Sequence, residues 1–323
     1  MSDEQTARGP RRFRNNYPSG WHRASFWRWQ RERWADDRAR QPAMPVPGSS
    51  VAPDLAWIAA NRAVPAITWI GHSSFLVQCA GLNVLTDPML STRASPFASF
   101  GPRRVQPPAI ALGVMPRIDV VVISHNHYDH LDEASVRGLA AQAGGPPRYL
   151  VPLGLASWFR QRGLATVEEF AWWQDVRLEA VRFTLTPVQH WSARGLHDRD
   201  QTLWGGWRLD APAASVFFAG DTGYSSDFAD IRERLGAVDY ALLPIGAYAP
   251  RWFMRVMHLD PADAVQVHRD LEARTSIAMH WGAFKLTDEP LDEPPRKLAS
   301  ALAEAAVPAD RFWLMKCGET RRL

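Results

Sequence analysis

Residues 120–131 read VVVISHNHYDHL, and the fold follows from how that stretch is read. Val120, Val121, Val122 and Ile123 form an apolar, β-branched run of the length of a buried strand. The run delivers Ser124 and then His125, His127, Asp129 and His130, a cluster of metal-ligand types. Two imidazoles separated by one residue can converge on one cation, while Asp129 and His130 address a second position beside it. The stretch therefore reads as a two-metal cradle at a strand end.

Three apolar strands downstream each end on a ligand type: RFTLTPVQH on His190, SVFFAGD on Asp221 and TSIAMH on His280. If these ends meet at one edge of packed sheets, His190 completes a three-histidine site with His125 and His127. His280 then completes the second site with Asp129 and His130, and Asp221 bridges the two. Nitrogen and carboxylate donors without thiolates suit two Zn2+ ions, with iron or manganese as the alternatives. Two such cations, about 3.5 to 4 Å apart, hold a water that ionises near neutral pH. The expected chemistry is attack by a di-metal-bound hydroxide, with no serine or cysteine nucleophile and with Asp129 or Asp221 shuttling the proton. His258, just before Asp260, is the residue expected to touch substrate. His72, in a turn between two strands, is read either as a contact to substrate or nearby water or as a structural hydrogen-bonding group.

Around this centre the pattern mixes hairpins with single helices. Strands are expected at 67–70, 74–79, 84–86, 149–151, 166–170, 181–188, 203–209, 215–219, 240–243 and 277–279, with a closing edge at 307–315. Asp132 caps a helix over 133–143, a second covers 155–162, and Asp260 caps a third, with Pro261 at its first position. No helix–strand unit repeats at a fixed period, which favours an α+β sandwich over a doubly wound parallel sheet. The long connection 87–108 is expected to form a rim over the site.

At 323 residues, 46% apolar and 22% charged, the chain is ordinary for a globular protein. No apolar run approaches the roughly 20 residues of a membrane span, and the start lacks the apolar core of a signal peptide. A cytoplasmic protein is expected. Cys79 and Cys317 cannot build a disulfide framework and are read as buried thiols. Residues 1–40 hold ten arginines against five acids, a net of +5 in a chain of net +3. That arm interleaves Trp21, Trp27, Trp29 and Trp34 with arginine. It suits either a membrane surface or packing of its tryptophans onto the domain. His22 is read as a surface histidine, and 41–53, with four prolines, as a linker. The expected organisation is an arm and linker over 1–53 and a hydrolase domain over 54–323.

The H-x-H-x-D-H pattern of His125, His127, Asp129 and His130 resembles the metallo-β-lactamase superfamily. LTDPMLSTRASP, ISHNHYDHLD, VPLG, VQHW, LWGGW, FFAGDTGY, PIGAYAPRWFM, HLDP and MHWG, in order from about residue 65, resemble the N-acylphosphatidylethanolamine-hydrolysing phospholipase D family more specifically. The resemblance implies an αβ/βα four-layer sandwich with an N-terminal extension. It implies a di-zinc site held by His125, His127, Asp129, His130, His190, Asp221 and His280, and substrate contacts from Tyr128 and His258. It also implies cleavage of a phospholipid's phosphodiester to phosphatidic acid and an N-acylethanolamine by a homodimer at a membrane, here the inner membrane surface. A lactonase or other ester or amide hydrolase is the alternative, since the same chemistry attacks a carbonyl. No basic stripe lies near the ligands, so nucleic acid is not an expected partner.

Overall fold

The structure, a computed structural model, describes residues 12–18, 24–36 and 43–323. Trp21, His22 and the first part of the 41–53 linker lie outside the described residues. The arm contributes helix α1 (Ala24–Ala35), and α2 (Leu55–Ala60) precedes the first strand.

An antiparallel meander, β1 (Ala66–Gly71), β2 (Ser74–Cys79) and β3 (Leu82–Thr86), begins the first sheet. Three strands then join in parallel: β4 (Val120–Val122), β5 (Arg148–Pro152) and β6 (Val167–Phe170). Helices α3 (Glu133–Ala140) and α4 (Ala156–Arg160) supply the crossovers. The second sheet repeats this plan. β7 (Asp175–Leu178), β8 (Val181–Thr186), β9 (Gly206–Asp210) and β10 (Ser215–Phe218) pair antiparallel. β11 (Tyr240–Pro244), β12 (Thr275–Met279) and β13 (Phe312–Trp313) continue in parallel. Helices α5 (Asp227–Leu235), α6 (Arg251–Met254), α7 (Pro261–Asp270) and α8 (Glu293–Glu304) lie between these strands in sequence, and β14 (Thr320–Arg322) returns to pair with β1. The result is two seven-stranded sheets.

The strands carry apolar residues on both faces because both faces are covered. Val120 and Val122 pack in the core between the sheets with Trp69, Phe183, Trp207 and Phe217. Val121 and Ile123, one residue out of phase, pack under α3 and α4 with Val136, Leu139 and Phe159. On the far side α5, α7 and α8 bury Ile231, Val265 and Leu298 against the second sheet. This is the expected α+β sandwich, helices outside and sheets inside.

Differences from the sequence reading have local causes. The Asp132 and Asp260 side chains do cap their helices, accepting the Ser135 and Asp263 N–H groups. The first of these helices ends at Ala140, before Gly144 and Gly145. β9 begins at Gly206 rather than at Leu203, because the Leu203 and Gly205 amides donate to Leu153 and Ser124 of the other sheet. Helix α8 went unread behind its Pro294–Pro295 start, α5 is rich in charged residues, and β7 and β14 are too short and polar to announce themselves. The 41–53 segment is tied down where it is described: Val51 N–H donates to Cys317 and Cys317 N–H to Ser49. Both cysteines are free and buried.

A side-chain bond also ties the two sheets at the metal-binding stretch. Trp207 Nε1 on β9 donates to the Ile123 carbonyl at 2.8 Å, immediately before Ser124. Trp207→Phe keeps the ring's apolar bulk and orphans that buried carbonyl. It is expected to cost about 1–3 kcal/mol, read as a lowered urea midpoint at unchanged slope.

Candidate metal centre

β8 and β10 run in the same direction as the parallel strands of the second sheet, and the loops after β4, β8, β10 and β12 carry the ligand-type residues. His125 to His130 follow β4, His190 follows β8, Asp221 follows β10 and His280 follows β12. His125 Nε2 lies 2.9 Å and His190 Nε2 3.3 Å from His127 Nδ1. These three form one group able to hold a metal ion. Beside it, His130 Nε2 and His280 Nε2 each stand 3.4 Å from Asp129 Oδ2 and 3.1 Å from an Asp221 oxygen. Asp221 Oδ2 is also 4.0 Å from His190 Nε2, so this carboxylate lies between the groups.

Two observations fit these donors to metal ions. His130 Nε2, His280 Nε2 and Asp221 Oδ1 are buried, converge closely and make no hydrogen bond, an arrangement that leaves their lone pairs unused. The charge balance points the same way. Burial holds the imidazole of His190 down to about 3 and that of His127 to about 4, and holds His125 well below its ordinary value with help from neighbouring rings. All three are neutral ligands at pH 7. Burial acts on His130 in the same direction, but the carboxylates of Asp221 and Asp129 outweigh it and hold that ring well above the usual range. His280 is pushed up to about 9 for the same reason. The two carboxyl groups, which burial would raise, are held well below the usual range by His130 and its neighbours. The pair of carboxylates thus demands positive charge, which a divalent cation supplies without protonating its ligands.

The outer nitrogens of the rings are held from behind. Asp87 Oδ2, at the end of β3, takes His130 Nδ1–H at 2.6 Å, and Asp87 also accepts the Ser124 N–H and hydroxyl. Ser124 Oγ in turn lies 2.9 Å from His125 Nδ1. His190 Nδ1–H donates to the Met257 carbonyl at 2.9 Å. His72 Nε2 lies 3.1 Å from Asp129 Oδ2, and its ring sits 4.1 Å from that of His280. His72 is thereby a neighbour of the carboxylate. Asp87 and Ser124 were missed by the sequence reading; the signal available was a carboxylate and a hydroxyl at two adjacent strand ends. Glycines let the loops close: a Cβ on Gly246 would stand 2.1 Å from the His280 carbonyl oxygen, and one on Gly220 2.5 Å from Ser124 Cβ.

A cavity of about 560 Å³ opens over His127, Asp129, Asp221 and His258. Trp191, Leu196, Phe253, Met254, Met257 and Leu286 wall it, and α1 roofs it with Phe26, Trp27 and Trp29. Trp29 stacks on Phe253 and donates its indole N–H to Asp288 at 2.7 Å. Trp27, at the roof's outer edge, and Trp34 are 73% and 77% exposed. The described part of the arm thus packs one tryptophan onto the domain and leaves two exposed. His258 Nδ1, buried, unpartnered and 3.8 Å from Asp221, faces this cavity as a neutral ring held down to about 3 by burial.

Tyr128 is placed elsewhere. Its ring lines a second groove, under the Arg194 guanidinium, and its hydroxyl donates to the Arg194 carbonyl. Arg194 Nη1 also donates to the Asn126 and Leu131 carbonyls at 2.8 and 2.7 Å, bridging the two ends of the ligand loop. Residues 90–98 wall that second groove as well, so the long 87–108 connection does not rim the metal cavity. Its base instead braces the site, with Arg104 over Phe284 and Phe284 edge-on to His72.

The chain matches the beta-lactamase superfamily domain over residues 82–281. It is 41% identical over 243 residues to an N-acyl-phosphatidylethanolamine-hydrolyzing phospholipase D of Caenorhabditis elegans, covering 72% of this chain and 68% of that one. A metal-dependent hydrolase of Methanopyrus kandleri is 31% identical over 74% of this chain and 91% of its own length. Among solved structures, a metallo hydrolase from the archaeon Ignicoccus hospitalis has the same fold, with a TM-score of 0.62, 22% identity, and coverage of 81% of this chain and 99% of that one. Fold, paired ligand groups and relatives together define a metal-dependent hydrolase of metallo-β-lactamase type. Within that class, the chain belongs to the N-acylphosphatidylethanolamine-hydrolysing phospholipase D family.

Asp87→Asn is expected to weaken metal binding about 10- to 100-fold, measured by competition with a chromophoric chelator, because it unsettles both His130 and Ser124. Gly246→Ala forces His280 off its position and is expected to lower metal content at the Asp129–His130–His280 group, while Gly113→Ala, with open space around its Cβ position and no left-handed backbone, leaves metal content unchanged.

Proposed function

We propose that the protein is a zinc phosphodiesterase of the phospholipase D type, hydrolysing N-acylphosphatidylethanolamine or a related glycerophospholipid to phosphatidic acid and an N-acylethanolamine. The observation that carries this reading is the apolar, tryptophan-roofed cavity set directly over the paired His/Asp groups. A soluble polar ester needs no such wall, whereas acyl chains do. His125, His127 and His190 would hold one metal ion and Asp129, His130 and His280 the other, with Asp221 available to either. Bound there, the ions supply Lewis acidity toward a phosphoryl oxygen and activate water for attack near neutral pH.

The chain's own groups provide the rest. Asp129 and Asp221 stand at the cavity floor, where a carboxylate can take the proton of the attacking water. The new bond is from that water oxygen to phosphorus, and the bond broken joins phosphorus to the ethanolamine oxygen, which leaves with a proton. His258 lines the cavity with its Nδ1 turned toward Asp221, and its ring is positioned to contact the phosphodiester. Arg199 lines the same cavity and adds positive charge where the phosphate sits.

The exposed aromatic residues around the mouth support docking on a lipid surface. Trp27, Trp34 and Leu196 present apolar bulk to solvent, and Arg28 stacks over Trp252 beside them. No helix among the described residues is long and apolar enough to cross a membrane. The docking reading is thus peripheral.

Wild type is expected to carry two zinc ions per chain and to release N-acylethanolamine from N-acylphosphatidylethanolamine in mixed micelles. His127→Ala is expected to lose metal and activity together. Metal at full occupancy with hydrolysis of a lactone but none of the lipid would overturn the substrate assignment. The double variant Trp27→Ser, Trp34→Ser is expected to lose cosedimentation with anionic phospholipid vesicles while keeping its metal content.

A further inference from the structure

One arm residue reaches the metal centre directly. Asn15 Nδ2 donates to the His190 carbonyl oxygen at 3.0 Å, and Asn15 Oδ1 accepts the His190 N–H at 3.1 Å. The same oxygen accepts the Trp204 indole N–H at 3.0 Å. The amide cannot be turned round: its NH2 would then face two donors and its oxygen a carbonyl. His190 lies four residues beyond the end of β8, where no strand pairs with its peptide groups among the described residues. Asn15 takes the place of that missing strand.

The ring of His190 is held by the Met257 carbonyl, and Met257 packs in a cluster with Phe253, Met254 and Trp29 of α1. Both attachments of this one ligand therefore trace back to the arm. Among the described residues, His125 is held instead by Ser124 of its own strand end, and His127 Nε2 has no hydrogen-bond partner.

We propose that Asn15 is a positioning residue for the metal centre, setting the backbone of His190 so that Nε2 meets His125 and His127, and that arm docking and metal binding are thereby coupled. This rests on the reading of His125, His127 and His190 as a metal group and is independent of which ester is cleaved. Because coupling is reciprocal, bound metal holds the arm as firmly as the arm holds the ligand.

The arm has further anchors that do not touch the centre. Asn16 Nδ2 donates to Asp227 at 2.9 Å and the Tyr17 hydroxyl to Asp230 at 2.8 Å. They supply the control. A cavity of about 460 Å³ beside Asn15 gives water access to the groups a truncation would expose, so Asn15→Ala is expected to fold.

The experiment is a Co2+ titration of the metal-stripped full chain, followed by the visible absorption of the bound ion and by chelator competition. Asn15→Ala is expected to bind about 10- to 100-fold more weakly and with an altered spectrum. Asn15→Asp, the same size without the donor, is expected to weaken binding as well, whereas Asn16→Ala and Tyr17→Phe, which loosen the arm without touching His190, lose less affinity than Asn15→Ala and keep the wild-type spectrum. Metal is expected to slow tryptic cleavage after Arg12 and Arg14 in wild type and to lose that effect in Asn15→Ala. Wild-type affinity and spectrum in Asn15→Ala would overturn the proposal, as would an equal loss in Asn16→Ala. Failure of wild type itself to bind Co2+ would overturn the metal reading on which it rests.

Discussion

Two carboxylates, Asp221 buried and Asp129 largely so, lie beside a ring of imidazoles at the floor of the cavity. Buried charge of one sign costs several kcal/mol per ion unless it is met by the other sign at close range. The surrounding structure can be understood as the means of meeting it. His130 and His280 are drawn toward protonation by these carboxylates, while His125, His127 and His190 are kept neutral by burial. A site with that balance favours cations over protons, because a cation satisfies carboxylates and neutral rings at once.

The sheets supply the geometry. Each turns from an antiparallel half to a parallel half, and parallel strands deliver all their C-terminal loops to one edge. Two such edges face each other, so residues far apart in the chain arrive within hydrogen-bond distance. The loops can be this tight because groups behind them fix their orientation: Asp87 behind His130, Ser124 behind His125, the Met257 carbonyl behind His190, and Arg194 across the base of the 126–131 turn. Tyr128 illustrates the cost of that bracing. The family resemblance implied a substrate contact from this residue, and the Arg194 guanidinium holds its ring over the second groove.

The arm divides its aromatic residues between two tasks. Trp29 is packed against Phe253, Met254 and Met257, while Trp27, at the cavity's edge, and Trp34, farther along the helix, are exposed. Helical spacing makes this possible, since Trp27 and Trp34 stand seven residues apart on one face and Trp29 points to another. One short helix thereby closes an apolar cavity and offers an amphipathic surface to the outside.

Much of the centre was legible in the chain. A β-branched run followed by His-x-His-x-Asp-His, and three more apolar runs each ending on His or Asp, are local patterns that physical chemistry reads directly. The α+β class also followed from hairpins mixed with single helices. What local pattern could not carry was anything made by residues distant in sequence and ordinary in type. Asp87 looks like a loop carboxylate until β3 is laid beside β4, and Asn15 looks like any polar arm residue until the arm is docked on His190. Amino-acid sequence by itself determined which donors are present and that strands deliver them. Only the tertiary structure decided which nitrogen of each ring faces the cavity and what lies behind it, because those choices depend on hydrogen bonds between segments that meet only once both sheets have packed.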